Sequence, residues 1–313
     1  MELPPKIWFR LQRLKKSLRS AFGSKDEVSF ETAHRMCPNC RGLIDRSASV
    51  CPLCGVSLRS ARARSGTGSG RVLGLIPVPS TASSAVIAIT IALYGITWYM
   101  TQSAAAATLS PAPSFGGISG NTLVRFGAKF GPAIVFGHQW WRLVTAIFLH
   151  GGLLHIGFNL WCLFDLGPIV ESLFSTTKFI LIYLVTGVAG FLLSFWLRTL
   201  SMVPSVGASG AILGLIGILI AASFHHGSLG KAYRSQLWRW VIYIFVFSLL
   251  PGVDLAAHVG GFVSGMALGY IIPEGEPASR SEENLWNALA VLSVLVIAGS
   301  FALMALHLGQ AVR

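Results

Sequence analysis

The sequence predicts an all-α polytopic membrane protein with a small cytosolic module ahead of its first span. Three observations carry that prediction. The 313 residues are 53% apolar and only 12% charged, where soluble domains carry about a quarter charged residues. Seven apolar stretches approach the roughly 20 residues that a helix needs to cross a hydrocarbon core. The charge is gathered at one end: residues 1–72 hold 14 of the 24 Lys and Arg but only 5 of the 12 Asp and Glu.

The N-terminal 35 residues place Lys6, Arg10, Arg13, Lys15, Lys16 and Arg19 among Ile7, Leu11, Leu14 and Leu18. The apolar set has helical spacing. It fits a basic amphipathic helix on an anionic leaflet, and equally a solvated basic tail. A basic block before the first span predicts a cytosolic N-terminus. That rule already accounts for the charge, so no nucleic-acid partner is expected. No cleavable signal peptide is expected either, because the first apolar span begins near residue 84.

Cys37-Pro38-Asn39-Cys40 and Cys51-Pro52-Leu53-Cys54 follow, two CxxC knuckles separated by ten residues. Knuckles of this kind can set four thiolates tetrahedrally around zinc. Two disulfides would need an oxidising compartment, against the expected topology. Residues 36–55 are therefore read as a closed, structural zinc ribbon, open to a cytosolic partner. Residues 56–83, rich in Ser, Gly and Arg, read as a linker. The lone Cys162 reads as a small packed hydrophobe.

The spans are expected near 84–103, 151–171, 178–197, 207–224, 236–251, 255–272 and 285–307. Residues 104–150, with Pro111, Pro113 and Pro132, are too long for a turn and are read as a structured interfacial loop. Trp140-Trp141-Arg142 suits a headgroup zone. Seven crossings from a cytosolic start put the C-terminus on the opposite side, with the plasma (inner) membrane as the expected location. Lys231, Arg234 and Arg239 in the fourth-to-fifth loop agree with that orientation.

Under this topology several polar residues share one depth. Ser209 opens the fourth span, His258 opens the sixth, and His150, His155 and Asn159 stand at the start of the second. Polar groups at membrane depth need partners and tend to be functional. Gly207, Gly210 and Gly214 on the fourth span, and Gly261 and Gly265 on the sixth, are read as packing glycines. The four-residue spacing of Gly210/Gly214 and Gly261/Gly265 lets two helix backbones approach closely. Such packing would bring Ser209 within hydrogen-bond reach of His258, the minimal pair for nucleophilic acyl transfer. No acidic residue is well placed as a third member. Asn159, His155 and His150, with the Ser209 N–H at its helix start, are candidate oxyanion donors.

His150-x4-His155-x3-Asn159, Gly207-x-Ser209-Gly210 and Ala257-His258-x-Gly260-Gly261-x3-Gly265 together resemble the signature of rhomboid intramembrane serine proteases. Trp141-Arg142 resembles the family's pair in the first loop. The resemblance covers roughly residues 84–272. It implies a six-helix rhomboid-like core with Ser209 as nucleophile, His258 as base, and His155, Asn159 and the Ser209 amide around the oxyanion. It further implies transmembrane protein substrates cut within the lipid bilayer, with no catalytic cofactor. The span at 285–307 resembles the six-plus-one variant. Two positions differ. Glu171-Ser172-Leu173 keeps an acid and lacks the arginine that often follows it, which would loosen the first loop's anchoring. Leu213 stands where many members carry an aromatic residue, which would leave His258 oriented by aliphatic contacts. Two other functions fit the class less well. A non-proteolytic binder of client helices needs neither Ser209 nor His258. A transporter would carry an internal repeat or a path of intramembrane charge, and the sequence has neither.

Overall fold

The structure, a computed structural model, describes residues 34–36, 43–45, 48, 71–72, 76–77, 81–108, 113, 116–250 and 252–308. The chain divides into two units, Met1–Gly68 and Ser69–Arg313. In the first, strands β1 (His34–Met36) and β2 (Leu43–Asp45) pair antiparallel, with Arg35 opposite Ile44. Cys37, Cys40, Cys51 and Cys54 lie outside the described residues, as does the basic N-terminal segment. In the second unit, β3 (Arg71–Val72) and β4 (Ile76–Pro77) form another short antiparallel pair.

The second unit is otherwise helical. Its long helices are α1 (Thr81–Ala107), α2 (Leu153–Phe174), α3 (Thr176–Leu197), α4 (Ser209–Ser223), α5 (Gly227–Phe247), α6 (Leu255–Ile271) and α7 (Arg280–His307). These correspond one to one with the seven apolar stretches. Four of them, α1, α2, α3 and α7, are long and apolar enough to cross a membrane. Helices α4 and α6 are apolar but shorter. Large apolar side chains project outward, among them Trp196, Phe247, Tyr270 and Leu295, each more than 60% exposed. A surface like that is stable only against lipid or protein. The chain is an integral, multi-pass membrane protein.

Helix α4 is the core. Every residue from Gly210 to Ser223 is buried, as expected of a helix that is hydrophobic all round. Helix α6 packs most extensively against α4 and then α3. The contact is made by glycine. A methyl group on Gly261 or Gly265 would fall inside 3.0 Å of the backbone of Gly210 or Gly214 respectively. Gly190 of α3 joins them, since a methyl there would stand 2.5 Å from the Ala257 carbonyl oxygen. The expected pairing of Gly210 and Gly214 with Gly261 and Gly265 is the one observed. Gly207 has a different place: it precedes α4, with φ of +131°, so it is a loop glycine and takes no part in the helix groove.

Helix α5 begins well before the expected 236 and carries Lys231, Arg234 and Arg239 within it. Long basic side chains are good helix formers, so the helix runs on past its apolar part instead of fraying into a loop. The interfacial segment holds three short helices, Gly120–Arg125, Gly131–Val135 and Arg142–Thr145, and a 3-10 turn at Ala146–Phe148. Arg142 is buried inside the fold. Its guanidinium donates to the Val124 carbonyl at 2.6 Å and the Ala128 carbonyl at 3.1 Å, and lies 4.8 Å from the Trp141 ring. It thereby adds a donor to the Val124 carbonyl, which also accepts the Gly127 N–H at 3.2 Å, and supplies one to the Ala128 carbonyl, so the folded-back loop keeps its buried acceptors paired.

Glu171 does not need the missing arginine. Its carboxylate accepts the N–H groups of Ser83 at 2.8 Å and Ala82 at 3.3 Å, and the Thr176 hydroxyl at 3.0 Å. An acid on the open N–H groups of a helix start both caps it and complements its dipole. Helix α1 is thus fastened to the end of α2.

Candidate active site

Ser209 and His258 meet. The Ser209 Oγ lies 2.6 Å from His258 Nε2, although 49 residues separate them. Both stand in the first turns of their helices, and the Gly210–Gly261 contact beside them sets the approach. Gly207 N–H donates to the Ala146 carbonyl at 2.9 Å, which straps the chain leading into α4 to the interfacial segment.

His258 is held on its other side as well. Its Nδ1 lies 2.5 Å from the hydroxyl of Ser248, the residue that caps α5. Sequence reasoning missed Ser248. A serine at the end of the fifth apolar stretch, ten residues before His258, was the only signal. Asp254 does not reach the imidazole. It caps α6 by accepting the Ala257 N–H at 3.2 Å, and it also accepts a short hydrogen bond from Ser194.

That carboxylate belongs to a second buried cluster. Lys129 is 1% exposed; its ammonium donates to Ser194 Oγ at 2.9 Å and lies 3.8 Å from Asp254. Burial pulls the lysine below its usual range, with Asp254 opposing. Burial would raise the Asp254 carboxyl, but hydrogen bonds from Ser194 and Ser205 and the charge of Lys129 hold it below its ordinary value. Lys129 also pairs backbone to backbone with Ser205, at 3.0 and 2.9 Å. The cluster therefore anchors points four residues ahead of Ser209 and four ahead of His258.

His155 faces the serine side. Its Nε2 would lie 2.7 Å from a methyl group on Gly207, and the Ser209 hydroxyl 3.7 Å from it. Only glycine leaves room for the ring there. The Gly151 N–H points at His155 Nδ1 at 3.4 Å. With Nδ1 as acceptor, the ring proton sits on Nε2, toward Gly207 and Ser209. Asn159 is buried and donates one amide hydrogen to the His155 carbonyl at 2.8 Å, which leaves its second hydrogen free for another acceptor.

His150 differs from expectation. It is 0% exposed and stacks edge-on behind His155, ring centroids 4.9 Å apart. With no exposed surface it cannot touch a substrate oxygen. Its place is that of a backing for His155.

Residues 137–275 match the family model of the rhomboid domain. The chain is 36% identical over 175 residues to RHOMBOID-like protein 6, mitochondrial, of Arabidopsis thaliana, covering 54% of this chain and 55% of that protein. It is 37% identical over 155 residues to Rhomboid protease GluP of Bacillus subtilis, covering 48% and 29% respectively. To Rhomboid-type serine protease 2 of Emericella nidulans it is 32% identical over 154 residues, 47% and 30%. The chain spans at most about half the length of these relatives. The serine and the histidine joined across glycine-packed helices both lie inside the segment that matches the rhomboid domain and is similar to these rhomboid relatives.

Proposed function

We propose that this chain is an intramembrane serine endopeptidase that cuts transmembrane segments of other proteins through Ser209 and His258. The observation that carries the reading is the 2.6 Å contact between Ser209 Oγ and His258 Nε2. Ser209 attacks the scissile carbonyl while His258 takes its proton at Nε2. The resulting oxyanion faces the His155 Nε2–H, the free Asn159 amide hydrogen and the unpaired Ser209 N–H at the start of α4, whose dipole favours negative charge. His258 then returns the proton to the leaving amine. Water enters, and the acyl-serine is hydrolysed by the same two groups in reverse order. Serine, imidazole and fixed N–H donors are all this chemistry asks for.

Helix length supports cleavage inside the bilayer. The 15 residues of α4 span about 22 Å at 1.5 Å each. That is roughly 8 Å less than the hydrocarbon thickness. With its inner end at the inner interface, α4 presents Ser209 below the outer surface. We assign a cytosolic N-terminus, seven crossings in a six-plus-one arrangement over 84–272 and 285–307, and an outward C-terminus. The basic N-terminal block supports that orientation.

The substrate test uses purified full chain and a single-pass model substrate. Ser209→Ala and His258→Ala should each abolish cleavage while the protein stays folded, a loss of several kcal/mol of transition-state stabilisation. Unchanged cleavage by Ser209→Ala would refute the nucleophile. Binding of client helices with no cleavage by the wild type would favour a non-proteolytic membrane-protein binder.

We further infer that Cys37, Cys40, Cys51 and Cys54 hold one structural zinc in a ribbon over 36–55, after a basic segment 1–35 and before a linker 56–83. Two features support it: the knuckle spacing, and the antiparallel β1–β2 pairing close to the first knuckle in the sequence. Elemental analysis should find one zinc per chain, lost in Cys37→Ser, with detergent cleavage retained. A zinc-free intact chain would end this assignment.

A further inference from the structure

We propose that Ser248 is a positioning residue for His258, one that fixes which ring nitrogen carries the proton. The inference rests on reading Ser209 and His258 as nucleophile and base. A base at Nε2 must have its proton on Nδ1 in the resting state, and a neutral imidazole chooses freely between the two unless a partner decides. In serine proteases of the triad type a carboxylate decides. Here the Asp254 carboxylate is engaged with Ala257, Ser194 and Lys129 and is not available to the ring.

The geometry around Ser248 determines its hydrogen-bond direction. Its hydroxyl has one proton, and the Ile244 carbonyl lies 2.6 Å away. That carbonyl is one turn back in α5, the usual acceptor for a serine at a helix end. With the proton committed to Ile244, the Ser248 oxygen offers only lone pairs to His258 Nδ1 at 2.5 Å. Nδ1 is therefore the donor, and Nε2 presents its lone pair to the Ser209 hydroxyl at 2.6 Å. The site is a chain of four groups: Ser209 Oγ–H to His258 Nε2, His258 Nδ1–H to Ser248 Oγ, and Ser248 Oγ–H to the Ile244 carbonyl. Ser248 is 3% exposed, so bulk water does not compete for the position.

The chain also serves the transition state. When Ser209 attacks, its proton passes to Nε2 and the ring becomes an imidazolium, charged on both N–H groups. The Nδ1–H then bonds to a hydroxyl already polarised by a carbonyl. A neutral acceptor stabilises that cation less than a carboxylate does, but it fixes the tautomer equally well. Leu213 needs no aromatic ring to orient His258, because Ser248 orients it by hydrogen bond.

The test reads the proton directly. Full-length protein in nanodiscs carries 15N-histidine, and His258 is assigned by the signals lost in His258→Ala. Wild-type His258 should show Nδ1 protonated and Nε2 bare. Ser248→Ala should give a mixture of both tautomers. Its kcat on a single-pass model substrate should fall about 10- to 100-fold, by analogy with the loss of the outer hydrogen-bond partner of a metal-bound imidazole. KM should stay within about twofold, since the substrate never touches Ser248. Ser248→Thr keeps the hydroxyl and should recover most of the rate. A wild-type ring protonated on Nε2, or a Ser248→Ala protein with unchanged tautomer and kcat, would overturn the proposal. Should Ser248→Ala fail to fold, the wild-type spectrum and Ser248→Thr decide the matter. Equal cleavage by wild type and Ser209→Ala would defeat the protease reading instead, and the spectrum would still report on the Ser248–His258 pair.

Discussion

Gly261 faces Gly210 backbone to backbone: a methyl group on Gly261 would fall inside 3.0 Å of the Gly210 carbonyl oxygen, carbonyl carbon and Cα. Gly210 follows Ser209 directly, and Gly261 is one turn below His258. The distance between the two functional side chains is thus set by the absence of a side chain next to each. A shift of about 1 Å between these helices would break a 2.6 Å hydrogen bond, since such bonds weaken steeply outside their narrow range.

Gly261→Ala should therefore damage activity and stability together. The clash is with backbone, which cannot rotate away, so overpacking should cost at least roughly 1–3 kcal/mol. Cleavage should fall further than the fraction unfolded accounts for, because the surviving folded protein holds Ser209 and His258 apart. Gly299 of α7 is the control, with nothing within 4 Å of an added methyl. Gly299→Ala should be neutral or stabilising by up to about 1 kcal/mol. Thermal melts and initial rates on both variants check this. A Gly261→Ala protein with wild-type rates would show that the helix contact tolerates more than the packing allows.

His155 and His150 should separate cleanly, although the sequence puts them in one motif. His155 turns its Nε2–H toward Ser209, so His155→Ala should lower kcat by about 100- to 1000-fold, as loss of an oxyanion donor does. Its melting temperature should change little. His150 is wholly buried behind it, so His150→Ala should leave a cavity and cost stability first, with rate following. Replacing His150 by Phe keeps the volume and the edge-on contact, and should recover much of the stability. Equal rate losses in His150→Phe and His155→Ala, with unchanged melting, would give His150 a chemical role.

The membrane fold was legible in the sequence because lipid demands long apolar runs, and seven such runs became seven helices. The glycine contact was legible too, because four-residue spacing of small residues has one common use. Its third member, Gly190 on α3, was not: Gly187 and Gly190 stand three residues apart, without the four-residue glycine spacing of the other two helices. Boundaries failed where polarity and helicity part company. Lys231, Arg234 and Arg239 read as loop by charge, yet they continue α5 because basic residues propagate helices well. Glu171 read as half of a broken pair, yet it serves as a cap for α1, 88 residues away from Ser83. Ser248 and Lys129 were illegible for the same reason. A serine or a lysine declares nothing until the fold brings it a partner, and here the partners lie 10 and 125 residues along the chain.

The Lys129–Ser194–Asp254 cluster should act as a clamp on the site from outside it. Lys129→Met removes the buried ammonium and leaves Ser194 and Asp254 short of a donor, a loss of roughly 1–3 kcal/mol. Asp254→Asn keeps the shape and removes the charge, so it should cost stability at neutral pH and weaken the cap of α6. The pH dependence has a definite sign. Burial opposes the Asp254 charge, but the Ser194 and Ser205 hydroxyls and Lys129 hold its folded value below the ordinary 3.8. An unfolded chain then binds more protons in that interval, so the stabilisation is complete above 3.8 and is lost as the pH falls through the folded value. Wild-type melting temperature should drop below about pH 4 by more than that of Asp254→Asn, which has no proton to gain there. Melts from pH 7 down to 3 on the two proteins measure the difference. Parallel curves would mean that the carboxylate titrates alike folded and unfolded, and the clamp would then be Lys129 and Ser194 alone.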